Sequence, residues 1–337
     1  MGEIKLQINP KNRPAVPAVN WQQARVLEMQ EEYAAAFDTS LVNTIEEMRA
    51  AYNEERKMWN TGGPVMAETV DFDVPYEGDK VPVRLLRPVK AEKLPVIFFM
   101  HGGGFVEGNN DTHSMAQRKL AAYSGCVVIG IDYSLAPEIK YPRAIKECVA
   151  VCHYVSEHAD EYGIDPEKIG FAGDSGGANM AMGVCMCLRD EGFDVSKIKG
   201  NILYYGGYGL MSSISSYQHG GKWDGMSEAD LSSPSCYIAP DVNRFDCPYF
   251  HIYANDLTHD VPPCFLFVAA ELDPLRDDSK LLYEILTNNG IQAEYHEYKG
   301  ALHAFIHYSK VMDDAEDALR RGAHFFAHNC GLDPRNE

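Results

Sequence analysis

Apolar positions change period along this chain, and the change marks where helices give way to strands. Val26, Met29, Tyr33 and Phe37 recur three and four residues apart, and Ile45, Met48 and Tyr52 continue a second stripe to about Met58. This spacing predicts two amphipathic helices. Thr44 followed by Glu47 has the capping-box form that opens the second of them, with hydroxyl and carboxylate each satisfying a backbone amide. Ahead of both, Pro10, Pro14 and Pro17 block regular structure. From about Met66 the pattern turns extended, and Glu68–Tyr76 and Val81–Arg87, joined across Glu77-Gly78-Asp79, read as a hairpin. Strands are then predicted at Pro95–Met100, Cys126–Tyr133, Lys168–Ala172, Ile198–Tyr205, Cys264–Ala270 and Gln292–Tyr298. Helices are predicted between and after them at Thr112–Tyr123, Arg143–Tyr162, Ala178–Arg189, Ser279–Thr287 and Asp313–Phe326. Several strands are apolar throughout, as a sheet covered on both faces requires. The alternation predicts an α/β protein with a mostly parallel, eight-stranded, doubly wound sheet.

One interval breaks this rhythm. Residues 206–262 are rich in Gly, Ser, Tyr and Asp and far exceed an ordinary connection, which marks a functional excursion. The expected organisation is residues 1–65 as N-terminal helices and 66–337 as one α/β domain with an insertion at about 206–262. No internal repeat or low-complexity tract appears.

Composition narrows the role. The chain has 337 residues, 45% hydrophobic and 23% charged, which describes a globular protein with ample core. Lys and Arg total 30 against 49 Asp and Glu, a net charge of −19, so nucleic acid and anionic membrane surfaces meet repulsion. The longest apolar stretches, Leu94–Met100, Cys126–Ile131 and Cys264–Ala270, fall far short of the roughly 20 residues a membrane helix needs. The N-terminal residues Met1-Gly2-Glu3-Ile4-Lys5 lack the apolar core of a signal peptide, and a cytoplasmic location is expected. Nine cysteines, an odd number scattered through strands and helices, suit reduced buried thiols better than a disulfide framework. Cys185 and Cys187 lack the second ligand pair zinc would need.

The candidate chemistry centres on Gly173-Asp174-Ser175-Gly176-Gly177. This G-x-S-x-G sits where a short apolar strand gives way to a helix, the setting that exposes a nucleophilic serine on a strained turn. An oxyanion must then be held by backbone amides from an earlier strand end. The strand Pro95–Met100 runs into His101-Gly102-Gly103-Gly104-Phe105, and Gly102 and Gly103, with Gly176, are the expected donors. G-x-G-x-x-G is not matched, so a nucleotide loop is not indicated.

The serine also needs a base and an orienting acid. Asp273 lies just past the Cys264–Ala270 strand, before Pro274, with Glu271, Asp277 and Asp278 as local competitors. His303 lies past the last strand, and His307 makes it an i, i+4 pair of the kind that ligates metals, without an acidic or cysteine partner motif. The order serine, acid, histidine at 175, 273 and 303 is that of the α/β-hydrolases. No metal and no organic cofactor is expected.

The motif set His101-Gly102-Gly103-Gly104, Asp132-Tyr133-Ser134-Leu135-Ala136-Pro137-Glu138, Gly173-Asp174-Ser175-Gly176-Gly177, Asp273-Pro274-Leu275 and His303-Ala304-Phe305 resembles that of the hormone-sensitive-lipase-like carboxylesterases. Arg56 to Asn60, Gly221 to Gly225, Asn255 to Thr258 and Val261 to Cys264 resemble the bacterial cytoplasmic acetyl esterases of that group more closely still. The resemblance implies Ser175 as nucleophile, Asp273 and His303 as its partners, the His101–Gly104 loop as oxyanion site, and a cap formed by the N-terminal helices and residues 206–262. It departs at Ser134, where the wider family usually has Arg, and at Gly176, where it usually has Ala. The expected activity is hydrolysis of short acetyl-type esters by a monomer or homodimer acting on a small diffusible substrate. An amidase or peptidase on the same triad, and a regulatory binding protein on a hydrolase scaffold, are the alternatives.

Overall fold

The computed structural model describes residues 18–36, 42–91, 93–210, 212–221, 226 and 237–333. Phe37 of the first predicted stripe, the three N-terminal prolines, and residues 211, 222–225 and 227–236 of the 206–262 interval, Cys236 among them, lie outside the described residues. Eight strands form one sheet: β1 (Glu68–Tyr76), β2 (Asp79–Arg87), β3 (Leu94–Met100), β4 (Val127–Ile131), β5 (Ile164–Asp174), β6 (Ile198–Tyr204), β7 (Cys264–Ala270) and β8 (Gln292–Tyr298). Their order is β1-β2-β4-β3-β5-β6-β7-β8. β2 pairs antiparallel with β1 and with β4, and every other pairing is parallel.

Period-two alternation divides each central strand between two cores. Val96, Phe98 and Met100 of β3 face one core, and Ile97 and Phe99 face the other. On the first face pack α4 (Arg143–Glu157), α5 (Gly176–Asp190) and α7 (Arg276–Asn288). The second is covered by α3 (Ser114–Ser124) and α8 (Asp313–Asn329), with Val26 of α1 (Trp21–Ala35) and Trp59 of α2 (Ile45–Asn60) completing it. A short helix, α6 (Ile214–Gln218), lies in the long interval after β6.

The capping box holds at α2: Thr44 Oγ1 accepts from the Glu47 amide at 3.1 Å, and Glu47 Oε2 accepts from the Thr44 amide at 3.0 Å. The hairpin turn is tighter than its composition suggested, because Tyr76 pairs with Asp79 and only Glu77 and Gly78 turn, both at positive φ. α4 stops at Glu157, short of Tyr162. Gly163, at φ 55°, redirects the chain so that Ile164 pairs with Leu94. β5 therefore starts earlier than its apolar run, with residues 165–168 forming an irregularity before Ile169 pairs with Val96. No helix among the described residues is long and apolar enough to cross a membrane, and the eight described cysteines are free thiols.

Close approach of α8 to the sheet depends on glycine. A methyl placed on Gly170 would lie 2.4 Å from the Phe326 ring, and one on Gly322 would lie 2.2 Å from the Tyr204 hydroxyl. Gly170→Ala should therefore destabilise the protein by about 1–3 kcal/mol through overpacking, measured by urea unfolding, with Phe326→Leu in the same background recovering part of the loss.

Candidate active site

β5 passes into α5 through a single residue, Ser175, held at φ 54° and ψ −121°. A side-chain-bearing residue adopts this conformation only where its surroundings enforce it. A methyl on Gly173 would lie 2.3 Å from the Gly177 carbonyl oxygen, and one on Gly177 would lie 2.1 Å from that of Met100. Both glycines are thus required for β3, β5 and α5 to meet. Gly176 is different, because a methyl there finds its nearest atoms at 3.4 Å on Phe105 and 3.5 Å at the Gly104 nitrogen. The alanine usual in the wider family would fit.

His303 follows β8 and reaches back over the sheet edge, its Nε2 lying 2.8 Å from Ser175 Oγ. Its Nδ1 lies 2.7 Å from Asp273 Oδ2. This pairing sets the tautomer, with Nδ1–H donating to the carboxylate and Nε2 left to accept from the serine. Asp273 is fully buried, and its Oδ1 accepts from the Leu275 amide at 2.7 Å. The competing carboxylates serve elsewhere. Glu271 accepts from the Gly300 amide, Asp277 from the Ser215 amide, and Asp278 from the amides of Tyr208, Gly209 and Leu210. The Tyr205 ring meets His303 edge-on with centroids 4.9 Å apart.

The oxyanion loop requires a correction. Gly102, expected as a donor, has its amide turned inward, where it donates to Asp174 Oδ1 at 2.9 Å and approaches His113 Nε2 at 3.2 Å. It is the anchor of the loop. The amides of Gly103, Gly104 and Gly176 have no acceptor among the described residues, and Gly104 lies beside Gly176. This leaves Gly103, Gly104 and Gly176 as the amides free to act as donors. Gly103, at φ 116°, has its β position 2.2 Å from the Glu107 carbonyl oxygen, and Gly104 has φ 58°, so only glycine turns here without strain.

Asp174 is the buried charge that holds this anchor. Burial disfavours its ionised form, but contacts from His113, 3.3 Å away, and His307, 3.4 Å away, outweigh that and hold its carboxyl well below the usual range. Burial, reinforced by the positive charge of Arg56, pushes His307 down to about 3, leaving it neutral. The i, i+4 pair therefore separates, His303 serving Ser175 and His307 serving Asp174. His113, Asp174 and His307 are also the described residues whose ligand atoms gather within 4.8 Å. Even so, the Gly102 N–H points between His113 Nε2 and Asp174 Oδ1, placing a hydrogen where a cation would bind. The cluster fits an anchored anion rather than a metal.

Several contacts supporting the site escaped the sequence reading. At the start of α1, Gln23 Oε1 accepts from the Leu302 amide at 3.1 Å, and the Asn20 amide donates to the Gly300 carbonyl at 3.0 Å. These brace the loop carrying His303. From α2, Arg49 donates to the Val106 and Ala136 carbonyls at 2.6 and 2.7 Å and pairs with both oxygens of Glu138. These brace the oxyanion loop. Glu147 is satisfied by the Ser134 amide and hydroxyl and by Arg143, so Ser134 keeps a polar role at the position where the wider family has Arg. Apart from Arg143 and Glu147, four residues apart on α4, these partners lie 13 or more positions apart and leave no local signal of their bonds.

A nucleophile, acid and base on the carboxyl ends of parallel strands, in that chain order, is the arrangement of the α/β hydrolases. The chain belongs to that family: the alpha/beta hydrolase fold family model matches residues 97–307. Among solved structures, an esterase from Pyrobaculum calidifontis is 28% identical over 93% of this chain and 99% of its own, with a TM-score of 0.81. An ester-hydrolase from the metagenome of Lake Arreo is 26% identical over 93% of this chain and 100% of its own, with a TM-score of 0.85. A thermophilic carboxylesterase cloned from a metagenomic library is 29% identical over 86% of this chain and 98% of its own, with a TM-score of 0.79.

Asp174→Asn should cost about 2–3 kcal/mol at pH 7, the range for hydrogen bonds to a buried charge, and should lower kcat by loosening Gly102. A carboxyl held down in the folded state stabilises the protein above its unfolded value of about 3.9 and loses that contribution as pH falls through the folded value. The stability gap between wild type and variant should therefore be full at pH 7 and narrow only below about pH 4, as followed by thermal unfolding across pH.

Proposed function

We propose that this protein is a serine carboxylesterase that hydrolyses short-chain, acetyl-type esters through an acyl-enzyme. The observation that carries this reading is the continuous relay from Asp273 through His303 to Ser175, with bond lengths of 2.7 and 2.8 Å. His303 Nε2 takes the Ser175 proton as Oγ attacks the ester carbonyl. The amides of Gly103, Gly104 and Gly176 receive the oxyanion, each worth about 3 kcal/mol to the transition state. His303 then protonates the leaving alcohol, and water activated the same way releases the acid. Asp273 keeps the imidazole oriented and stabilises its protonated form. The esterases among the structural relatives support ester over amide substrates.

The short acyl limit is supported by bulky rings close to the serine. Phe105 stands against Gly176 and stacks on Tyr237 with centroids 4.3 Å apart. Tyr205 closes the side by His303. α1, α2 and the described residues of the 206–262 interval act as a cap over this space.

With p-nitrophenyl esters of increasing acyl length, kcat/KM should be highest at acetyl to butyryl and fall beyond. Ser175→Ala should abolish turnover of all of them, with circular dichroism showing the fold retained. Equal rates on long-chain esters would overturn the chain-length limit, and unchanged turnover by Ser175→Ala would overturn the mechanism.

A further inference from the structure

The loop that carries the oxyanion donors also carries a carboxyl that the mechanism does not use. The Glu107 side chain leaves the turn beside Gly103, its Cγ lying 3.0 Å from that glycine's β position. The carboxyl accepts no hydrogen bond from a described residue. Facing it from α2 are Arg49, Tyr52, Glu55 and Arg56. Burial pushes its carboxyl up to about 7, against the pull of Arg56 and then Arg49.

Of the two guanidinium groups, Arg49 is committed to Val106, Ala136 and Glu138. Arg56 is held more loosely: it is 9% exposed, has the Glu55 carboxylate 3.3 Å from its Nε and the Tyr52 ring 4.7 Å from its guanidinium carbon, and reaches the Tyr308 hydroxyl at 3.4 Å, while its Nε makes no hydrogen bond. Tyr205, whose ring rests on His303, likewise has a buried hydroxyl with no partner. Its electrostatic neighbours include Arg56 and Tyr52, and Arg56 itself reaches the hydroxyl of Tyr308, five residues beyond His303. Buried polar groups are nearly always paired, and those left over call for a water or a ligand. A plain alkyl ester would leave the Glu107 carboxyl, the Arg56 Nε and the Tyr205 hydroxyl without a hydrogen bond.

We propose that Glu107 and Arg56 form a recognition site for a hydroxyl group on the substrate, so that the preferred esters carry a hydroxyl close to the scissile bond. A hydroxyl donates to the Glu107 carboxyl and accepts from the Arg56 guanidinium, matching both. An ammonium satisfies Glu107 alone and is repelled by Arg56. The inference rests on the esterase reading and deepens it by naming the substrate class.

The test compares kcat/KM within matched pairs. Glycerol monoacetate against propyl acetate places the hydroxyl on the alcohol, and methyl 3-hydroxybutyrate against methyl butyrate places it on the acyl group. Acetylcholine tests a cationic group. Wild type should prefer the hydroxylated member of at least one pair by about tenfold, the worth of one hydrogen bond to a charged group. Glu107→Met should bring that ratio near one, and Glu107→Gln should retain most of it. Arg56→Met should lower the same ratio and raise the relative rate on acetylcholine, which keeps the proposal testable should Glu107→Met fail to fold. No preference in either pair, or a ratio unaltered by both methionine variants, would overturn it. Absence of any p-nitrophenyl acetate hydrolysis by wild type would instead indict the esterase reading itself.

Discussion

The site depends on one strained residue. Ser175 is held at φ 54° and ψ −121°, a conformation that costs on the order of 1–3 kcal/mol. It persists because three elements converge on it more closely than side chains would allow. Gly177 lies against the Met100 and His101 carbonyls, and Gly173 lies against Gly177. The Ser175 amide is in turn tied to the Tyr204 carbonyl of the neighbouring strand at 2.9 Å. The strain is met by the packing of a sheet buried on both faces, and its return is a hydroxyl projecting from the sheet edge toward His303.

Around that residue the protein places its charges in layers. Asp273 is buried and spent on His303 and the Leu275 amide. Asp174, next to the serine in sequence, points the opposite way, into a pocket of two histidines, and holds Gly102. The loop of residues 101–107 is thus anchored from inside by an anion and clamped from outside by the Arg49 guanidinium on α2. α1 does the same for the histidine loop through Asn20 and Gln23. The two N-terminal helices therefore position the loops that carry the chemistry, in addition to covering part of the second core with Val26 and Trp59.

Much of this was legible in the chain because it is encoded locally. The elbow announces itself through glycines flanking a serine between an apolar strand and an apolar helix, and the order of Ser175, Asp273 and His303 follows from strand ends. The sheet's two cores follow from runs such as Pro95–Met100 that are apolar on both faces. What was not legible depends on contacts between distant residues. That Gly102 faces inward is decided by Asp174, on a different strand, and the sequence of three glycines is the same whichever of them turns. The early end of α4 reflects Gly163 and the pairing of Ile164 with Leu94. The apolar period alone does not encode it. Arg49 reads as an ordinary exposed helical arginine until its partners at Val106, Ala136 and Glu138 are seen.

The central claim is that Ser175 is the nucleophile of a covalent cycle. It is tested most directly by incubating the protein with a phosphonate ester bearing a good leaving group and mapping the adduct by mass spectrometry. The account predicts one phosphonyl group per chain, on the peptide containing Ser175, with esterase turnover lost in proportion to labelling. An adduct confined to another residue, or full turnover by protein already labelled at Ser175, would contradict it.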